Sequence, residues 1–180
     1  MDYPGQRIQV DVKFVPSACL KNPKVIGKQF FQYTAIDEYS RWRFVEAFEE
    51  HNTYSSAMFI EHLVKAFPLP IQCIQTDNGA EFTNRFTTHR DKPTLFKVHL
   101  KQHGIRHKVI RPFTPRHNGK VERIHRKDNE RFYATHTFYS FEDFAKQLKV
   151  YNRRDYNNFP MPPLGWKSPN QVLKDYLASV

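Results

Sequence analysis

Only two cysteines, Cys19 and Cys73, occur in 180 residues, and they form no C-x-x-C pair. That excludes a disulfide-stapled scaffold and a cysteine-based zinc site, and it fits a reducing compartment. No apolar run approaches the ~20 residues that a membrane span needs. The N-terminus carries no basic-then-apolar leader, so a cytosolic protein is expected. Internal repeats and low-complexity tracts are lacking as well. Acidic residues are in deficit: 18 Asp and Glu stand against 28 Lys and Arg, for a net charge of +10. Such an excess points to a polyanionic partner. Nucleic acid is favoured over a membrane surface, because no basic amphipathic helix stands out. What is plentiful is aromatic and aliphatic side chain, 15% and 39% by class, which excludes a disordered chain. A chain of this length suffices for one domain with its own core.

Alternation of Ile8, Val10, Val12 and Phe14 with polar partners predicts a strand over 6–15. Two prolines and a glycine make 16–28 a loop. The aromatic and β-branched runs 29–37 and 42–48, parted by a short polar break, predict an antiparallel hairpin. The period then lengthens. Ile60, Leu63, Val64 and Phe67 fall at i, i+3, i+4 and i+7, which predicts a helix over 53–67 ended by Pro68. A strand at 71–76, a turn, and a polar, unpatterned surface insertion at 85–93 follow. A helix at 94–103, closed by Gly104, and a strand at 105–110 come next, and Pro112 and Pro115 mark a loop. The charged segment 119–133 predicts a helix. Ser140 and Asp143 at capping-box spacing open another at 140–152, which buries Phe141, Phe144, Leu148 and Tyr151. The proline-rich stretch 157–167 is expected to be extended. Ser168 and Pro169 open a last helix over 168–177. This order predicts an α/β fold: a five-stranded mixed sheet, made of a three-strand antiparallel meander plus two parallel strands, flanked by helices on both faces. Ligands on such sheets gather at strand ends.

Three acids stand where this layout puts functional positions. Asp11 sits inside the first strand, between Val10 and Val12, where Asp is disfavoured. Asp77 lies just past the fourth strand, where Asn78-Gly79 turns the backbone away. Glu122 opens the charged helix. Each has a plainer role open to it. Asp11 could guard a strand edge, Asp77 could build an Asx turn, and Glu122 could complement the helix dipole. If the first and fourth strands are central neighbours, the three converge. Clustered carboxylates are costly unless a cation neutralises them. Oxygen-only ligands suit Mg²⁺ or Mn²⁺ rather than zinc. Two such ions would clamp the attacking and leaving oxygens of a phosphoryl transfer.

The motifs around these acids resemble the catalytic core of retroviral-type integrases and of the related bacterial insertion-sequence DDE transposases. PGQRIQVDVKF resembles the first motif, AIDEYSRWRFVEAF the hairpin after it, QTDNGAEF the second motif and RPFTPRHNGKVERIHR the third. YNRRDYNNFPMPPLGWKSPNQVL resembles the tail of the insertion-sequence branch. Two departures accompany the match. The 44 residues between Asp77 and Glu122 exceed the family's usual spacing by about the length of the 85–93 insertion, and Arg153–Tyr156 replaces an Arg and His common in relatives.

The resemblance implies a ribonuclease-H-like fold. It implies Asp11, Asp77 and Glu122 as catalytic residues and metal ligands, with two Mg²⁺ or Mn²⁺ ions when DNA is bound. It implies cleavage at transposon ends and joining to target DNA by a homo-oligomer, at the bacterial nucleoid. Residues 1–155 would be the core and 156–180 a tether and terminal helix, with no DNA-reading helix-turn-helix visible ahead of them. On the Glu122 helix, Arg126 and Asn129 share the face of the acid, His125 lies beside it, and Lys120 and Arg123 flank it. With Asn78 these are expected DNA contacts, Arg126 suiting bidentate phosphate binding. Residues 112–118 correspond to the family's mobile active-site loop, or to a plain connector; His117 and Asn118 are expected to touch substrate. His99 and His103 stand at i, i+4 without the acid of H-E-x-x-H, so zinc is disfavoured. Phe30, Phe31, Tyr33, Trp42 and Phe44 are expected in the core, and Asp37 in a turn. Two alternatives stay open: a related nuclease or resolvase that cleaves without joining, and a non-catalytic DNA-binding module on the same scaffold.

Overall fold

A computed structural model of the chain describes residues 1–84, 92–111 and 119–180. Five strands, β1 (Ile8–Phe14), β2 (Phe31–Asp37), β3 (Arg43–Phe48), β4 (Cys73–Thr76) and β5 (Arg106–Val109), form one sheet in the order β3-β2-β1-β4-β5. The first three are an antiparallel meander. β4 joins β1 in parallel, and β5 joins β4 in parallel. The mixed sheet expected from the element order is therefore present, with β1 and β4 as central neighbours.

The strand period of two sorts the residues between two layers. Ile8, Val10, Phe31, Tyr33 and Ala35 face α1 (Thr53–Ala66) and α2 (Leu95–Gln102), where Phe59, Ile60, Leu63, Phe96 and Leu100 complete the larger core. The alternate residues face α3 (Gly119–Asp128) and α4 (Phe141–Tyr151). Val45 joins Phe132, Phe144 and Leu148 there, but Gln9, Asp11, Gln32, Thr34 and Arg43 make much of this face polar. Of the aromatic residues assigned to the core, Phe31 and Tyr33 are buried in the larger core with Trp42 and Phe44 packed against it, and Phe30 is buried in the cluster with Phe132 and Phe144. Asp37 accepts from Gly5 N–H and from the N–H and hydroxyl of Ser40, so it pins the hairpin turn.

Helix starts follow their capping residues. Asn52, Thr94, Ser140 and Ser168 each accept from the N–H three residues on, the last opening α5 (Pro169–Ser179). Two segments differ from expectation. The helix beginning at Gly119 is α-helical only to Asp128 and widens into a π turn over Asn129–Tyr133. The wider turn lets Phe132 and Tyr133 both follow Asp128 into the core, which a uniform 3.6 period would not do. The proline-rich stretch is not extended. A π turn over Asn152–Asn157 prolongs α4, and Met161 pairs with Lys167 around a 3₁₀ turn at Pro162–Leu164. His99 and His103 both reach Glu61 Oε1 at 2.7 Å, tying α2 to α1.

Candidate active site

Register brings the two aspartates together. Gln9 pairs with Gln75 across β1 and β4. Carried two residues further, past the end of β4, that register brings Asp77 to the neighbourhood of Asp11, whose carboxyl feels its charge. Asp77 also builds the Asx turn open to it, accepting from Gly79 N–H at 2.9 Å.

The helix is laid along β1 by three contacts. Val121 N–H donates to Gln9 Oε1, His125 Nδ1 lies 3.4 Å from Asp11 Oδ2, and Lys13 Nζ donates to Asn129 Oδ1. Two residues of strand advance about 6.7 Å and four of helix about 6 Å. Positions 9, 11 and 13 therefore stay in step with 121, 125 and 129. Glu122, one residue after Val121, sits exposed in the first turn of α3, and its charge reaches Asp11. Among the described residues no group of three His, Cys, Asp or Glu side chains is closed into a metal-binding cluster.

The electrostatics record this crowding. Burial first, then the charge of Asp77, with smaller contributions from Glu122 and Glu81, push the Asp11 carboxyl up to about 7. Burial and Glu81 raise Asp77 as well. The carboxylates thus carry a penalty that a divalent cation would relieve, and the all-oxygen donor set fits Mg²⁺ or Mn²⁺.

An acid raised in the folded state binds more protons there than in the unfolded chain between its two pKa values. Its charge therefore costs stability as pH rises from about 4 toward 7. In EDTA, Asp11→Asn should melt higher than the wild type at pH 8, by on the order of a few kcal/mol. The difference should vanish near pH 4. Thermal denaturation across pH checks this, and parallel profiles for the two proteins would contradict it.

His125 is held from both sides. Gln32 Nε2 donates to Asp128 Oδ2 and to Thr34 Oγ1, and Thr34 Oγ1 lies 3.1 Å from His125 Nε2. Thr34 Oγ1 thus bridges the Gln32 amide and His125 Nε2, and the other ring nitrogen, Nδ1, faces Asp11. Burial holds His125 down to about 4, so the contact with Asp11 is that of a neutral ring.

The remaining expected contacts are distributed differently. Asn78 Nδ2 donates to the Ile110 carbonyl, joining the ends of β4 and β5. Lys120 Nζ binds Glu38. Arg123 and Arg126 are exposed. Asn129 is exposed and receives Lys13. His117 and Asn118, with the loop that carries them, lie outside the described residues, as does most of the 85–93 insertion.

Two neighbours of the acids escaped the sequence analysis. Glu81 is buried, and His51 Nε2 lies 2.8 Å from its Oε1. That bond is the largest cause of the raised His51 pKa, which the charges of Asp77 and Asp11 also support. A Cβ on Gly79 would lie 2.6 Å from Glu81 Cδ, so the glycine leaves room for this carboxylate. Glu81 was visible within QTDNGAEF, four residues after Asp77; His51 carries no local signal.

A mixed five-stranded sheet in the order β3-β2-β1-β4-β5, flanked by helices, is the architecture of integrase catalytic cores. The catalytic core of BIV integrase superposes with a TM-score of 0.59 at 20% identity, covering 97% of this chain and 95% of that one. A chain of a simian T-cell lymphotropic virus intasome superposes with a TM-score of 0.60 at 16% identity, over 93% of this chain and 55% of that one. Integrase core domain models match residues 2–115 and 103–169. The chain belongs to the integrase core domain family, a family of polynucleotidyl transferases. An insertion element IS476 protein of 39.2 kDa from Xanthomonas euvesicatoria, itself uncharacterized, is 31% identical over 106 residues, covering 58% of this chain and 28% of its own length. The chain spans at most 35% of the length of the curated relatives it matches. No helix among the described residues is long and apolar enough to cross a membrane.

Proposed function

We propose that this core cleaves DNA at the ends of a mobile element and joins the freed strand to target DNA, with Asp11, Asp77 and Glu122 as its catalytic acids. The observation that carries the proposal is the bringing of Asp77 to the neighbourhood of Asp11 by the β1–β4 register, beneath a helix whose Glu122 charge reaches Asp11. Family membership supplies the reaction class.

Asp11, Asp77 and Glu122 would hold Mg²⁺ or Mn²⁺. When bound, such ions lower the pKa of an attacking water or 3′-hydroxyl and neutralise charge on the leaving oxygen. The protein's own residues do the rest. β1 carries Asp11, and the Asx turn at the end of β4 fixes Asp77. His125 packs its Nδ1 edge against Asp11 and positions the carboxylate. Arg126, exposed one turn after Glu122, is placed to bind a phosphate beside the scissile bond. His51 and Glu81 set the charge around Asp77. No side-chain nucleophile takes part.

The DNA substrates, a multimer that brings two ends together, and a site of action at the bacterial nucleoid belong to the same proposal. The likeness to an intasome chain and to a bacterial insertion-element protein supports them. A core at 1–155 and a tether with terminal helix at 156–180 form part of the same proposal; α5 follows the π turn that ends α4, and its Leu173 packs into the larger core.

The test is an assay with labelled element-end DNA and Mg²⁺ that resolves cleavage products from joined products. Both should form. Cleavage without joining would make the protein a nuclease or resolvase, and neither product would leave a DNA-binding module.

A further inference from the structure

A cavity beside the candidate active site has none of the three acids in its lining. It measures about 750 Å³ and wraps the N-terminal half of α3. Its walls carry six cationic side chains: Arg7, Arg41, Lys108, Lys120, Arg123 and Lys127. On the wheel of α3, Lys120, Arg123 and Lys127 form a stripe roughly 100–160° away from Glu122. They line this cavity rather than flank the face of the acid. One carboxylate, Glu38, stands among the six cations, and Arg7 and Lys120 already hold it at 2.6 and 3.2 Å. Arg41, Lys108, Arg123 and Lys127 have no ion-pair partner among the described residues.

Arg41 is the most informative of these. It occupies the left-handed region with φ 63°, a conformation that favours glycine or asparagine. Its Nη1 is buried with no hydrogen-bond partner among the described residues. A buried unpaired donor on a strained residue is expensive, and such features mark sites that a ligand completes.

The cavity adjoins the candidate active site. Gln9 and Gln75 line it, and each lies two residues before its aspartate. A strand crossing Asp11 and Asp77 would continue directly into it. The cations come from the β2–β3 turn, the residue before β1, β5 and α3, which is too wide a distribution for one small anion and suits successive phosphates.

We propose that this cavity is a second nucleic-acid subsite, which holds backbone phosphates of the DNA on Arg41, Lys108, Arg123 and Lys127. The inference rests on the DNA reading above and adds a site independent of the metal-binding acids. Its ligand chemistry is phosphate, and its occupant is a DNA strand rather than a free polyphosphate.

The test is fluorescence anisotropy of the whole chain with a short labelled DNA duplex in EDTA, repeated across salt concentrations. Arg41→Gln combined with Lys108→Gln should weaken binding about ten-fold or more. It should also flatten the plot of log K against log salt by about 1.8, two lost phosphate contacts at about 0.9 each. Lys146→Gln with Lys149→Gln, exposed on α4, removes the same charge and should leave that slope unchanged. If thermal melting shows that the Arg41 variant has not folded, Lys108→Gln with Lys127→Gln, both exposed, carries the test with the same expected loss. Equal slopes for cavity and control variants would overturn the subsite. So would Arg41-dependent stabilisation by tripolyphosphate with DNA binding untouched, which would assign the cavity to a free polyphosphate. A wild type that binds no DNA would overturn the wider DNA reading, whereas one whose binding ignores the cavity variants would overturn the subsite alone.

Discussion

Asp11→Asn, Asp77→Asn and Glu122→Gln should each abolish metal-dependent DNA cleavage and joining while the fold persists. Charge stabilisation by a bound divalent ion contributes several kcal/mol at the transition state. Losing it corresponds to a rate loss on the order of 10³-fold or more, at about 1.4 kcal/mol per decade. The stability response separates function from folding. Asp11 is raised to about 7 by its burial and then by the charge of Asp77, so Asp11→Asn should melt higher in EDTA at pH 8 even as activity disappears. Glu122 is exposed, and Glu122→Gln should barely move the melting temperature. A side chain whose removal stabilises the protein and silences it is retained for chemistry. Gel assays with Mg²⁺ and Mn²⁺, beside thermal melts of the same preparations, check both halves. A variant with near wild-type turnover would remove that residue from the mechanism.

Much of this arrangement was legible in the sequence because it depends on period. Alternation in β1 told which residues share a face, and the same alternation places Asp11 and Gln9 opposite Ile8 and Val10. Ser140 and Ser168 marked the starts of α4 and α5 to within a residue. What escaped was the content of long-range pairs. Nothing near His51 announces Glu81, 30 positions away in the chain. Nothing in Arg43 announces burial, since an arginine in a half-buried strand is ordinarily read as solvent-facing. The π turns after α3 and α4 were likewise invisible, because they answer to tertiary demand rather than local propensity. Asp128, Asn152 and Asn157 must all reach Arg43, and a uniform helix would not turn them inward together. The cationic stripe of α3 was readable, but the neighbours that make it a cavity come from β1, β5 and the β2–β3 turn.

Breaking the Arg43–Asp128 pair should be the most damaging single change to the fold. Both side chains are essentially inaccessible, at 0% and 1%. Arg43 Nη1 donates to both Asp128 oxygens at 2.8 and 3.0 Å, and Nε donates to Asn152 Oδ1 at 2.7 Å. The guanidinium carbon lies 4.0 Å from the Tyr156 ring centroid. Burial alone would raise the Asp128 carboxyl, but Arg43 and the Gln32 amide hold it below the usual range. An acid depressed in this way supports the fold at neutral pH and loses that support as pH falls. Arg43→Met leaves Asp128 buried and unpaired, at a cost of about 3–5 kcal/mol. For a chain of this size that lowers the melting temperature by about 6–20 °C. Arg43→Met combined with Asp128→Leu removes both charges and should recover most of the loss. Activity should not follow. Gln32 Nε2 loses its acceptor on Asp128, and Gln32 leads through Thr34 and His125 to Asp11. The double variant is therefore expected to melt near the wild type yet turn over more slowly at saturating DNA. Full activity in a stable double variant would show that the buried network serves folding alone and that Asp11 needs no support from that side.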